Sequence, residues 1–270
     1  MTLVIVHAGY HKTGTTSLQD FMSANRDALA PWVAYFGKQD FFGAGADARI
    51  YAQRPFPWRL ARFRRSLRRF LRDLPDQPVI LLSRETFSGG MPGHHRVNGE
   101  MMTSYYGPSL RLARTIISEL RRRFGRDTEI VFFYTTRERE AWIRSVHGHL
   151  LRSIRLTDDF DTFRNRFPAL AAPAEEAERM RGALAPVPVV TAALEDWGAM
   201  REGPAGAVLN MLGVPEDVRA TLAPVSCANT GQSADLREAF LALNRSDLSK
   251  ADLKAAKARL IEDGPVLSPT

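Results

Sequence analysis

The apolar run Leu3-Val4-Ile5-Val6 leads straight into AGYHKTGTTSL at 8–18, and a helical pattern opens near Thr15. A strand, a tight glycine loop and a helix N-terminus in that order leave a row of helix N–H groups without partners. They stand at the positive end of the helix dipole, where an anion is readily held. Gly9 and Gly14 let the loop bend and let its backbone approach a ligand closely. Lys12 supplies a full positive charge, and Thr13, Thr15, Thr16 and Ser17 supply hydroxyl donors. The string is not the nucleoside-triphosphatase loop G-x-x-x-x-G-K-[ST], because Lys12 precedes the second glycine. Strand–loop–helix segments that bind nothing also occur in α/β proteins, so the loop alone leaves that alternative open.

Four segments read as strands, 3–7, 78–83, 129–134 and 187–191, with helical patterns at 15–29, 56–74, 109–124, 138–152 and 173–184. This alternation predicts an α/β fold: a P-loop-like three-layer arrangement, with a central parallel sheet of four to five strands flanked by helices. One domain over 1–270 is expected. Residues 88–107 are rich in glycine with little periodicity and read as a long loop. Pro204–Pro215 reads as a short helix ending at Gly213, Asn229–Gln232 as a turn before a helix over 234–244, and 246–270 as a marginal helix fraying through Gly264-Pro265.

The single cysteine, Cys227, excludes an intramolecular disulfide and a thiolate metal cluster, and reads as a small buried or loop side chain. No charged n-region or long apolar stretch appears, so neither a signal peptide nor a transmembrane segment is expected, and a cytoplasmic location is. His94-His95 and His147-Gly148-His149 lack a third ligand at a diagnostic spacing, so no metal is expected.

Farther along, Glu129–Tyr134 reads as a buried strand, with Arg137 at its exit and Ser145 eight residues on in the following helix. A guanidinium presents a planar fork to phosphate oxygens, and a hydroxyl adds another donor. The plainer alternative is that Arg137 caps the strand and Ser145 is a surface helix residue.

Lysine before glycine, followed by two threonines, resembles the 5′-phosphosulfate loop of sulfotransferases that use 3′-phosphoadenosine 5′-phosphosulfate. That family usually writes it G-x-P-K-[ST]-G-T-T; here His11 stands where proline is usual. Arg137 and Ser145 resemble the same family's 3′-phosphate site. The resemblance implies that Lys12, Thr13, Gly14, Thr15, Thr16, Ser17, Arg137 and Ser145 bind the phosphosulfate donor and its bisphosphate product. It implies transfer of a sulfuryl group to a hydroxyl or amine of an unidentified acceptor, with carbohydrates among the candidates. Lys12 would be catalytic as well as donor-binding. No nucleic-acid partner is expected on a separate ground: the arginine-rich run 54–72 lacks any recognised reading module.

The strand 78–82 ends in Ser83-Arg84-Glu85, which resembles the heparan-type branch, whose base is a glutamate, more than the small-molecule branch, whose base is a histidine. Glu85 is therefore the candidate base, against His11, His94 and His95; its plainer alternative is a cap, or an ion pair with Arg84 or Arg137. The loop 88–107 reads either as part of the acceptor pocket, with Tyr105 and Tyr106 as stacking groups, or as a surface loop. The late Arg-Lys-Gly signature and the C-terminal dimerisation motif of the small-molecule branch are missing.

Two rival classes stand beside this one. A P-loop kinase or nucleoside-triphosphatase would need a G-K-[ST] step and usually an aspartate at a strand end for magnesium; the strands here end in Ser-Arg-Glu and Thr-Thr-Arg. A catalytically inactive anion-binding relative would keep the fold alone. The net charge of +7 predicts attraction to anions without naming one. Much of it is local: eight arginines between Arg54 and Arg72 alternate with apolar residues at helical spacing, reading as either a solvated helix face or a landing surface for an acidic polysaccharide or anionic lipid headgroup.

Overall fold

The computed structural model describes residues 2–96, 98–167, 170–225 and 232–263. Cys227, most of the turn expected at 229–232 and the tail from Gly264 lie outside them. The chain divides into two compact units, Met1–Arg139 with Ala171–Ala228, and Glu140–Leu170 with Asn229–Thr270.

Among the described residues the strands are β1 (Leu3–His7), β2 (Ala34–Phe36), β3 (Val79–Ser83), β4 (Glu129–Thr136) and β5 (Val189–Ala193). The first helices are α1 (Thr15–Ala24), α2 (Arg26–Leu29), α3 (Phe42–Gln53), α4 (Pro57–Arg72), α5 (Tyr106–Phe124) and α6 (Arg139–Ser153). They are followed by α7 (Phe160–Asn165), α8 (Pro173–Leu184), α9 (Leu194–Trp197), α10 (Ala205–Met211), α11 (Glu216–Thr221), α12 (Ala234–Arg245) and α13 (Lys250–Asp263).

The first unit is a three-layer α/β fold around a parallel sheet ordered β2-β3-β1-β4-β5. Apolar residues fill both faces of the central strands, as a parallel sheet covered on both sides requires. Ile5, Leu81 and Phe133 pack with Leu18, Phe21 and Met22 of α1 and Val208 and Leu209 of α10. Val4, Val6, Ile80, Leu82 and Phe132 are equally buried at the alternate positions, which the pleat turns to the other face. On α4 the arginines alternate with Phe63, Leu67 and Leu71, all buried, each contributing about 1.5–3 kcal/mol of hydrophobic stabilisation.

Several boundaries differ from the sequence expectation for identifiable reasons. The helix expected over 15–29 breaks at Asn25, whose buried side chain donates to the carbonyls of Phe21 and Ala223 and accepts from the Ala223 N–H. The strand expected at 187–191 runs over Val189–Ala193, since Pro186 and Pro188 have no N–H to give a ladder. β4 extends past Tyr134 because Thr135 and Thr136 pair with Ala192 and Ala193. The short strand β2 and the glycine-containing α3 carry too little periodicity to be read from sequence, and both are missed. Within 88–107, α5 begins at Tyr106 rather than 109, and His95 and Met101 form an isolated bridge.

In the second unit, side chains of α12 and α13 cap backbone carbonyls at the end of α6. Asn244 donates to the Leu151 carbonyl at 3.0 Å, and the Lys257 ammonium donates to Leu151 and Ile154 at 2.6 and 2.8 Å. His147 packs against Phe160 and Phe163, with its Nε2 3.0 Å from the Asp158 carbonyl.

Candidate anion-binding site at the sheet edge

In an open parallel sheet the crevice for a ligand lies beyond the carboxyl ends of the strands, where the strand order reverses. Here β1 is that central strand, flanked by β3 and β4. His7 pairs in register with Ser83 and with Phe133, so Gly9, Glu85 and Arg137 all follow strand ends on one edge. Backbone bonds tie that edge together: Ala8 N–H to the Phe133 carbonyl at 3.2 Å, and Arg84 N–H to the His7 carbonyl at 3.0 Å. The Ser88 hydroxyl, in the 3-10 turn Glu85–Ser88, donates to the Ala8 carbonyl.

Two glycines are required by this geometry. A Cβ at Gly9 would stand 2.5–2.8 Å from His7 Nε2, Thr15 Oγ1 and Thr135 Oγ1, closer than any carbon tolerates. Gly14 caps α1 with φ of 91°, and a Cβ there would meet Pro204 and Leu194 at 2.8 and 2.9 Å. A glycine cap has no side chain to occupy the first-turn N–H groups of α1, and that turn carries no acid. Lys12 adopts φ of 68°, a left-handed conformation that costs a non-glycine residue of order 1–3 kcal/mol. Such strain persists only where surrounding bonds hold it.

Those bonds are visible. The Thr13 hydroxyl donates to the Tyr10 carbonyl at 2.7 Å and lies 2.7 Å from Thr135 Oγ1. Thr15 donates to the same carbonyl at 3.3 Å. Both threonines are buried, and their hydroxyls are engaged in these bonds, which hold the loop's shape. Thr16 is exposed, and Lys12 and Ser17 are half-buried. The Arg137 guanidinium reaches back to the loop, its Nη1 donating to the Lys12 carbonyl at 3.4 Å across 125 residues of sequence. Ser145 is half-buried on α6, in the other unit.

A buried polar chain connects the loop to Glu85. Thr135 Oγ1 lies 3.5 Å from His7 Nε2, and His7 Nδ1 lies 2.7 Å from Ser83 Oγ. Gln19, on the inner face of α1, donates to the Ser83 carbonyl and hydroxyl at 3.2 and 3.3 Å and to Glu85 Oε2 at 3.4 Å. Burial pushes His7 down to about 3 despite the opposing Glu85 charge, so it is neutral at physiological pH. Burial likewise lowers His11 to about 4, again against Glu85. For Glu85 itself burial acts upward, but the charges of His11 and Arg84 and its hydrogen bonds, including that from Gln19, bring it below the ordinary carboxylate value. It is ionised at neutral pH.

His11 lies between Glu85 and Tyr105, with Nδ1 3.4 Å from the phenol oxygen and the rings stacked at 6.1 Å. His94 is close enough to His11 for their charges to interact. Tyr105 is 1% exposed and packs on Tyr10 at 4.8 Å, so it builds the wall behind the loop rather than offering a free stacking face. Tyr106 is half-buried under the Arg179 guanidinium.

The sequence missed Gln19 and Thr135 as parts of this edge. Gln19 leaves one trace, a polar residue beside Leu18 on the helix face that must be buried; Thr135 leaves none, since a threonine at a strand end is ordinary. Together these residues make an edge with a lysine, an arginine and helix N–H donors on one side and a fixed carboxylate on the other. Such a site can hold an oxyanion beside a proton acceptor. Among known proteins, no family model matches this chain and no curated protein matches it.

Proposed function

We propose that the chain is a sulfotransferase, moving a sulfuryl group from 3′-phosphoadenosine 5′-phosphosulfate to an acceptor hydroxyl or amine. The observation that carries this reading is the bond from Arg137 to the Lys12 carbonyl. It joins a loop suited to a 5′ anion with a guanidinium suited to a second phosphate. The donor set fits: an uncapped helix N-terminus, a lysine in a strained loop and a forked cation, with glycines where side chains would fill the approach.

The donor nucleotide supplies an activated sulfate whose S–O bond to phosphate breaks as the acceptor oxygen or nitrogen bonds to sulfur. Glu85 takes the acceptor proton; its low proton affinity keeps it ionised and ready to do so at neutral pH. Lys12 and the first N–H groups of α1 offset the negative charge that collects on the departing phosphate. Gln19 holds the Glu85 carboxylate against the strand end, and His7, being neutral, passes hydrogen bonds without adding charge. Orientation of the reacting atoms and charge neutralisation supply the rate, as in other transfers of this type.

Calorimetric titration of the whole chain tests the donor assignment. Adenosine 3′,5′-bisphosphate should bind without divalent metal and more tightly than either ATP or adenosine 5′-phosphate. Arg137→Ala should weaken it by about 1.5–3 kcal/mol, the range for a charge-assisted hydrogen bond, and remove the preference over adenosine 5′-phosphate. Equal affinity for the two adenosine nucleotides in the parent chain would overturn the reading; tightest binding of ATP with magnesium would move it to a P-loop kinase.

A further inference from the structure

Helices α4 and α5 carry the chain's excess of positive charge. α4 carries seven arginines and no acid, and α5 carries five arginines and one acid, Glu119. The rest of the chain then holds 25 of the 37 basic residues and 29 of the 30 acidic ones, a net charge of −4, so the overall +7 comes from this layer alone.

The two arginine rows are continuous. Arg68 makes a bidentate pair with Glu119 at 2.9 Å, and Arg64 and Arg122 approach the same carboxylate at 3.8 and 3.3 Å. One buried acid thus anchors three guanidinium groups whose outer edges face solvent. Arg65, Arg69, Arg111, Arg114, Arg121 and Arg126 are exposed around them.

At the head of α4 stands an apolar feature of another kind. Phe56 and Trp58 are 44% and 63% exposed and lie flat on each other, ring centroids 4.5 Å apart and planes within 7°. Each ring covers one face of its partner, so the pair is an apolar wedge rather than an open platform for a sugar or a base. α4 leads through 73–78 into β3 and so runs antiparallel to it, which brings the wedge toward the edge where the strands end.

We propose that this layer docks the protein on an anionic phospholipid bilayer. The Phe56/Trp58 wedge enters the headgroup boundary, and the α4 and α5 arginines lie against lipid phosphates. An amphipathic aromatic suits that boundary, and arginine forks suit phosphate oxygens. The inference rests on this surface and not on the transfer chemistry proposed above.

Co-sedimentation of the full chain with phosphatidylcholine vesicles, with and without phosphatidylglycerol, tests it. Binding should require phosphatidylglycerol and fall as salt rises. The double variant Phe56→Ser/Trp58→Ser should weaken binding roughly tenfold, and Arg65→Glu/Arg69→Glu by at least as much. In the parent chain, vesicles with brominated acyl chains should quench tryptophan emission; in Trp58→Phe, which keeps the wedge apolar, binding should persist and that quenching should be lost. Equal binding to uncharged vesicles would overturn the proposal, as would binding indifferent to both double variants. Tight binding to heparin or nucleic acid without vesicle binding would assign the surface to a soluble polyanion instead.

Discussion

Two regions of the first unit handle positive charge in opposite ways. At the sheet edge there are few cations, and each is held: Lys12 by a strained, hydrogen-bonded loop, and Arg137 by the carbonyl of Lys12 itself. On the α4/α5 layer there are twelve arginines to the two helices' single acid, Glu119, most of them exposed on long side chains. The first arrangement fixes direction and distance, so individual groups matter and substitution has large local effects. The second makes a field, in which single groups are nearly interchangeable and salt screens the sum. Geometry, not the amount of charge, separates a site for chemistry from a surface for attraction.

The edge depends most on a single group, the Glu85 carboxylate. Glu85→Gln keeps the hydrogen-bonding reach toward Gln19 and removes the proton acceptor. The proposed transfer should fall about 10²–10⁴-fold while calorimetry shows adenosine 3′,5′-bisphosphate binding retained. Near-normal turnover, with collapse in His11→Gln or His94→Gln instead, would move the base to that histidine.

Next comes the strained lysine. Lys12→Gly should lower transfer by roughly 10²–10³ while the thermal midpoint holds or rises, because glycine relieves the left-handed backbone. A clearly lower midpoint would make Lys12 structural and erase the contrast between its role and its strain. Gly9→Ala tests the packing that holds the loop. Its new Cβ collides with three polar atoms, so chemical denaturation should report a loss of about 1–3 kcal/mol. No loss would mean that the edge relaxes as easily as the arginine layer.

Acid sensitivity should belong to the edge as well. His7 has its proton affinity depressed by burial, to about 3, so the unfolded chain takes up a proton first as pH falls. Stability is therefore intact above about 6.5 and declines below it, by about 1.4 kcal/mol per pH unit for this group alone until its folded value is reached. Glu85, also depressed, adds loss in the same direction only below the ordinary carboxylate range. His7→Gln should flatten the upper part of that acid limb in denaturation curves taken at stepped pH; an unchanged limb would mean that burial does not hold His7 neutral.

The smallest effect is expected on the layer. Arg68→Ala leaves Arg64 and Arg122 beside Glu119, so its melting midpoint should shift less than that of Gly9→Ala, with the difference fading in high salt. A loss as large as that of Gly9→Ala would show that the layer, too, is built from individually fixed charges.

Much of this was legible in the sequence because it is local. The central strands announce themselves as short apolar runs, α4 by its 3.6-residue spacing, and the glycine loop by the order of Lys12 and Gly14. The parallel sheet follows from alternation of such elements. Asn25 was not legible as a helix break, because its partners lie at residue 223, far along the chain. Nor were the bonds by which the buried Thr13 and Thr15 hydroxyls hold the loop's shape, which residue type alone does not specify.

The sequence by itself determined the class of fold, the presence of an anion-suited loop and the concentration of arginine near Arg54–Arg72, since period, glycine placement and composition are properties of neighbouring residues. Only the tertiary structure decided that Arg137 meets Lys12, that Gln19 and His7 link the loop to Glu85, and that the charge of two helices merges into one face through Glu119. Those contacts join residues 51 to 128 positions apart, and they exist because the sheet register brings distant strand ends to one edge and helix packing sets two arginine rows against one acid.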